Sequence, residues 1–311
     1  MVLSAIFALM SLAGAHQDGS ASRSIDQAPR PAVVAQDPVT ELDGVDVIGR
    51  GNTRERMTEL VETLSAPPRR QGLARWDRRV CVGVANMPAR EAQRMIDRVS
   101  QLAEYVGLGV GQPGCRADVL IVATPEADAL ANELVAEHQD IMRPSLGGTD
   151  LGRAALEAFR TSDAPVRWWH VSLPVSADTG AVACQLKGAE NAPEISSPNM
   201  SRLRSGIRYD LAKVIVIIDT RRLGGVTFSA LSDYVAMVAL AQIDPTADVS
   251  TYPSVLNAFG PSGETGLTEL DANYLRSLYD ARPDYGMPSA QINQMASALA
   301  RRQQDEPDAT P

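Results

Sequence analysis

Apolar positions along the chain follow two periods. From Pro88 to about Gly107, Ala92, Met95, Ile96, Val99, Leu102, Ala103 and Val106 recur at spacings of three and four, which predicts a helix with one buried face. Proline in its first turn and glycine at its end are the expected terminators. Short continuous apolar runs lie on either side, Arg79–Ala85 and Asp118–Ala123, and a third runs from Lys213 to Ile218 and ends at Asp219. Runs with no polar alternation read as strands covered on both faces. A helix over Glu126–Gln139 follows the second run. The resulting strand–helix–strand–helix order predicts parallel pairing through a right-handed crossover.

The middle of the chain is less regular. Asp150–Phe159 reads as helix, Arg167–Leu173 as a strand, Val175–Gln185 as a turn with a second strand, and 190–199 as loop. Thr227–Gln242 reads as a helix whose second half, Val235–Ala241, is apolar on every side and so should be buried. Thr268 is placed to cap a helix over Glu269–Tyr279, and Ser289 a last one from Ala290 to about Arg302. No internal repeat is visible. The fold class that results is α/β, a mixed, largely parallel sheet packed by helices, with an α+β arrangement as the alternative.

The ends read differently. Met1–Ala15 carries no charge, is mostly apolar from Val2 to Leu12 and closes on Ala13-Gly14-Ala15. This is the pattern of a signal peptide cut before His16, although no Lys or Arg precedes the apolar run. The run falls short of the roughly 20 apolar residues of a spanning helix, and no other segment is a candidate. Export to the periplasm or beyond is the expectation. Residues 16–72 read as a flexible arm, with Pro29, Pro31 and Pro38 in its first part. The arm holds one short helix, Thr53–Leu64, with Met57, Leu60, Val61 and Leu64 on one face; Pro67-Pro68 ends it. Asp46–Arg50 suits a short strand. Val45–Arg50 also resembles the short segment near the start of outer-membrane receptor plugs, which implies a strand added to a partner sheet; an ordinary linker is the alternative. A single domain is expected over 73–302, followed by a disordered tail, 303–311.

Composition narrows the function. In 311 residues, 44% are hydrophobic and 22% charged, enough to bury a core. Lys and Arg number 29 against 38 Asp and Glu, a net charge of -9, which argues against nucleic acid as a partner. In an oxidising compartment Cys81 and Cys115 can bridge if their strands are neighbours, leaving Cys184 as the odd thiol, though Cys184 is able to replace either partner. No Cys-x-x-Cys pair exists to hold zinc. Gly109-x-Gly111-x-x-Gly114 matches a dinucleotide fingerprint in letters, but a helix precedes it and a strand follows, the reverse of what phosphate binding needs; a tight turn is the better reading. Asp178-Thr179-Gly180 stands alone, without the second carboxylate of an aspartic-protease dyad, and reads as a hairpin turn.

Few side chains are left to carry chemistry. Of three histidines, His16, His138 and His170, His170 is the one weak catalytic candidate, working with a nearby Asp or Ser, and no Gly-x-Ser-x-Gly elbow accompanies it. Asp219, Arg221 and Arg222 follow an apolar strand, where open α/β sheets bind ligands, and two arginines suit a carboxylate or phosphate. Trp168 and Trp169, with Arg167, are a candidate recognition patch; alternation sends the two tryptophans to opposite faces, one to the core and the other toward solvent.

Ala117–Pro125, Leu231–Gln242, Leu267–Asp271, Leu275–Asp280 and Gly286-Met287 together resemble the bacterial exported proteins of the domain of unknown function 2927 and an alphaproteobacterial exported group beside them. Their element order is similar to that of metzincin-type zinc peptidases. In those peptidases the buried helix carries His-Glu-x-x-His, and a third ligand lies beyond a glycine. Tyr234 stands where the first His would be, Val235 at the Glu, Val238 at the second His and Asp244 at the third ligand. One possible oxygen ligand then remains of the three a catalytic zinc needs, and the general base is gone. The resemblance therefore implies a peptidase-like scaffold without metal, cofactor or peptidase chemistry. The expectation is an exported, non-catalytic binding or interaction module for a peptide or envelope protein; a hydrolase using His170 is the alternative.

Overall fold

The computed structural model describes residues 50–67, 71–138, 142, 151–183 and 204–304, all within a compact unit that begins at Val47. The expected signal peptide, the expected arm up to residue 49, Cys184, the 190–199 loop and the tail from residue 305 lie outside the described residues.

The first strand breaks at Cys81. β1 (Arg79–Val80) pairs with β3 (Gly109–Val110), whereas β2 (Val82–Ala85) pairs with β4 (Val119–Thr124), both in parallel. At the break the Cys81 carbonyl accepts the Asp118 and Val119 amides, and its own amide donates to the Asp118 carboxylate. The excursion between the two partners is tied down by the Cys81–Cys115 disulfide, Cα atoms 6.2 Å apart. A Cβ at Gly111 would lie 2.3 Å from Cys115 Sγ, so only glycine fits there. The first glycine of the Gly109–Gly114 motif thus belongs to β3, and Gly111–Gly114 is a bridged turn.

β4 also pairs in parallel with β6 (Ile207–Asp219), and β6 pairs antiparallel with β5 (Val166–Ser176), giving the order β2-β4-β6-β5. β6 starts earlier than its apolar run because Ile207–Asp210 is half-buried and polar residues are tolerated there. Of the turn and second strand expected over 175–185, Val175 and Ser176 end β5, Asp178–Gly180 turns with Gly180 at φ 72°, and Val182 returns to pair with Val175; residues 184–185 lie outside the described residues.

Among the described residues, seven α-helices pack the sheet. α1 (Arg50–Leu64), α2 (Ala89–Tyr105), α5 (Phe228–Leu240), α6 (Glu269–Asp280) and α7 (Pro288–Gln304) cover one face, over Val119, Ile121, Val214, Val216 and Trp168. α3 (Ala127–Glu137) and α4 (Gly152–Thr161) cover the other, over Ile215, Ile217, Trp169 and Val171. Two expectations change here. α1 does not belong to an arm: Met57, Leu60, Val61 and Leu64 are buried in the main core and the helix lies against α7, so the domain begins before residue 73. Trp168 and Trp169 do point to opposite faces, but both are buried, because helices cover both faces. At the helix ends, Thr268 and Asp271 form a reciprocal capping box. Ser289 sits inside the first turn of α7, behind Pro288 at the first position. Among the described residues, no helix is long and apolar enough to cross a membrane.

Candidate functional site

The organising element is α5. Thr227 caps its start by accepting the Ala230 amide, and every residue from Ala230 to Leu240 is buried. A buried helix end leaves carbonyls that must find donors. Three side chains from three separate segments supply them. His170 Nε2 of β5 is 2.7 Å from the Val238 carbonyl, Trp76 Nε1 donates to Ala239 at 2.9 Å, and the Tyr279 hydroxyl of α6 donates to Leu240 at 2.8 Å. Trp168 Nε1 donates to Ile243 just beyond, at 3.0 Å. Burial pushes the His170 pKa down to about 4, against the pull of the Val238 and Ala241 carbonyls, so the ring is neutral near pH 7. Its bonds run to backbone carbonyls, which makes it a cap for α5.

The four positions aligned with a zinc site behave as core and turn residues. Val235 and Val238 are fully buried. Tyr234 packs edge-on against Trp168 and Phe259, with ring centroids 5.9 and 5.2 Å away, and burial raises its phenol pKa. Asp244 folds back to accept the Thr246 amide and hydroxyl. Among the described residues, no three His, Cys, Asp or Glu side chains converge as a metal site.

Beside this helix end lies a cleft of about 350 Å³. Its floor is Trp168–His170 of β5; one wall is Leu151, Ala155, Ala158 and Phe159, and the other is Ser65–Pro67 with Asp244–Thr246. Among the described residues, β5 is the edge strand of the sheet. The Asp219 amide donates to the Pro165 carbonyl, which makes Val166 and Ile218 a non-hydrogen-bonded pair. By alternation, the pairs Trp168–Val216 and His170–Val214 are non-hydrogen-bonded too. The backbone N–H and C=O of Trp168 and His170 therefore face away from β6, toward the cleft. Among the described residues, no backbone group takes them up, and the returning strand pairs with β5 at Val175. The structure thus gathers Trp168, Trp169, His170 and Asp244 in one place. The two walls from α4 and from the end of α1 carried no sequence signal, since only the tertiary fold brings them alongside β5.

The remaining candidates meet at the far end of the same strands. Asp219 is wholly buried; its Oδ1 accepts the Arg221 amide at 3.0 Å, and Oδ2 lies 3.4 Å from Arg222 Nε. Burial pushes this carboxyl up, but the Arg221 bonds and the nearby Arg222 more than offset that and hold it below the usual carboxylate value. Arg167, also buried, donates to Asp128 at 2.6 Å, and this bond lowers the Asp128 pKa. Arg167, expected in a recognition patch with Trp168 and Trp169, is instead a buried cation paired with Asp128.

No family model matches the chain, and no curated protein or solved structure matches it significantly.

Proposed function

We propose that the protein is an exported, non-catalytic binding module that takes up an extended peptide along the open edge of β5, on a peptidase-like scaffold without its metal positions. One observation carries this reading: the outward N–H and C=O groups of Trp168 and His170 open into an aromatic-floored cleft. Groups in that arrangement are satisfied by an added strand, while apolar walls take its alternate side chains. The Cys81–Cys115 bridge supports an oxidising compartment. The order β2, α2, β4, β6, α5 is the one on which the peptidase resemblance rests. The core positions of Tyr234, Val235 and Val238, with His170 engaged by backbone, favour binding over catalysis.

Two of the three tryptophans line the cleft, so tryptophan emission reports its occupancy. Unstructured peptides of about ten residues, rich in Val, Leu and Thr, should shift that emission saturably. Ala158 is exposed on α4, and Ala158→Arg keeps a good helix former there while filling the cleft. This variant should weaken binding at least about tenfold. A panel in which no peptide moves the emission, or an A158R variant that binds undiminished, refutes the proposal.

A further inference from the structure

Resting on that reading, we infer that the peptide is bound by its free C-terminus, with the terminal carboxylate held by Arg222. Antiparallel pairing is the more stable mode of strand addition. A peptide antiparallel to β5 runs its C-terminus toward Val166 and past Pro165. At that end a second cavity of about 340 Å³ opens, lined by Pro165, Arg222, Thr227, Phe259 and Glu264 among others. The rings of Trp168, Tyr234 and Phe259 touch in sequence, so Trp168 of the β5 cleft and Phe259 of this cavity are only two ring contacts apart. Four residues of extended chain cover the span from His170 to Val166, about 14 Å.

Arg222 is prepared for a carboxylate. Its Nε lies 3.4 Å from Asp219 and its Nη2 3.7 Å from Asp128, which hold the guanidinium in place. Its Nη1 is buried and lies 2.8 Å from Asp163, yet off hydrogen-bond geometry. The Asp163 side chain is 93% exposed. Such an exposed ion pair contributes little and is easily displaced. A carboxylate arriving through the cavity with a better angle replaces Asp163 on Arg222. The N-terminus of the 13-residue α5 adds favourable potential at the same place. Glu264 disfavours an acidic last side chain, and Phe259 with Ala258 and Val226 favours an apolar one.

The test uses one apolar peptide in two forms, with a free C-terminal carboxylate and with a C-terminal amide, titrated onto the full chain. The free acid should bind about tenfold more tightly than the amide. Arg222→Gln should bind both forms alike. Asp163→Asn, at an exposed position that cannot disturb the fold, should bind the free acid several-fold more tightly than the parent and leave the amide unchanged. Equal binding of acid and amide by the parent chain overturns carboxylate capture and leaves the β5 groove standing. An unaltered acid affinity in D163N also overturns the capture. Binding of neither form overturns the groove as well.

Discussion

A neutral imidazole donates one ring proton, and His170 gives its proton to the Val238 carbonyl at the buried end of α5. With its pKa lowered from 6.5 to about 4 by burial, the folded chain refuses a proton that the unfolded chain accepts between those values. This contribution to stability is complete above pH 6.5 and is lost as the pH falls toward 4. The loss amounts to roughly 3 kcal/mol from this residue. Carboxylates titrate in the same range, so the informative quantity is the difference between the parent and His170→Gln, which retains a donor but does not titrate. By urea unfolding, the parent should be the more stable at pH 7 by about 1 kcal/mol, and that advantage should vanish or reverse by pH 4. An advantage that stays constant across that range would show that the ring does not titrate between folded and unfolded states. Trp76, Trp168 and Tyr279 share the same task with donors that do not titrate there, so the pH response of this helix end is concentrated in one residue.

Between elements, the decisive constraint is the strand that changes partner at Cys81. β1 holds β3 and β2 holds β4, so the excursion between β3 and β4 must be kept clear of the sheet, and the disulfide does this. The bridge closes a separation of 34 residues, worth about 4 kcal/mol on the chain-entropy account. Reduction, or the double change Cys81→Ala with Cys115→Ala, should lower the midpoint of thermal unfolding by about 10 °C in calorimetry. A midpoint indifferent to reductant would mean that the bridge constrains nothing. The long helices were legible because their determinants are local. The spacing of Met95, Val99 and Leu102 marks α2, and the uniformly apolar Val235–Ala241 marks the burial of α5. β3 was not legible: Gly109 and Val110 carry no strand signal, and only their pairing with Arg79 and Val80 makes them one.

Over the whole molecule, long-range pairings were the part the sequence concealed. The parallel core β2-β4-β6 follows from the strand–helix order, but nothing local says that β5 lies at the edge, and the candidate cleft exists only because it does. Trp168, Trp169, Arg222 and Asp219 were recognisable as candidates, while Ala155, Ala158 and Ser65–Pro67 became walls through contacts between distant segments. α1 shows the same limit. Its apolar face was plain in the spacing of Met57, Leu60, Val61 and Leu64, but the partner of that face, α7, lies at the opposite end of the chain. Burying four such side chains yields roughly 6–12 kcal/mol, comparable with the entire net stability of a domain, about 5–15 kcal/mol. Two truncations separate α1 from everything before it. A chain beginning at Val47 keeps α1, and one beginning at Leu73 loses it and exposes the matching face of α7. Calorimetry should find a cooperative transition in the first and none in the second. Because the segment that follows α1, Ser65–Pro67, also forms a wall of the β5 cleft, the shorter chain should lose peptide binding along with its fold. A cooperative transition in the Leu73 chain would return α1 to the status of an appendage and remove one wall from the proposed groove.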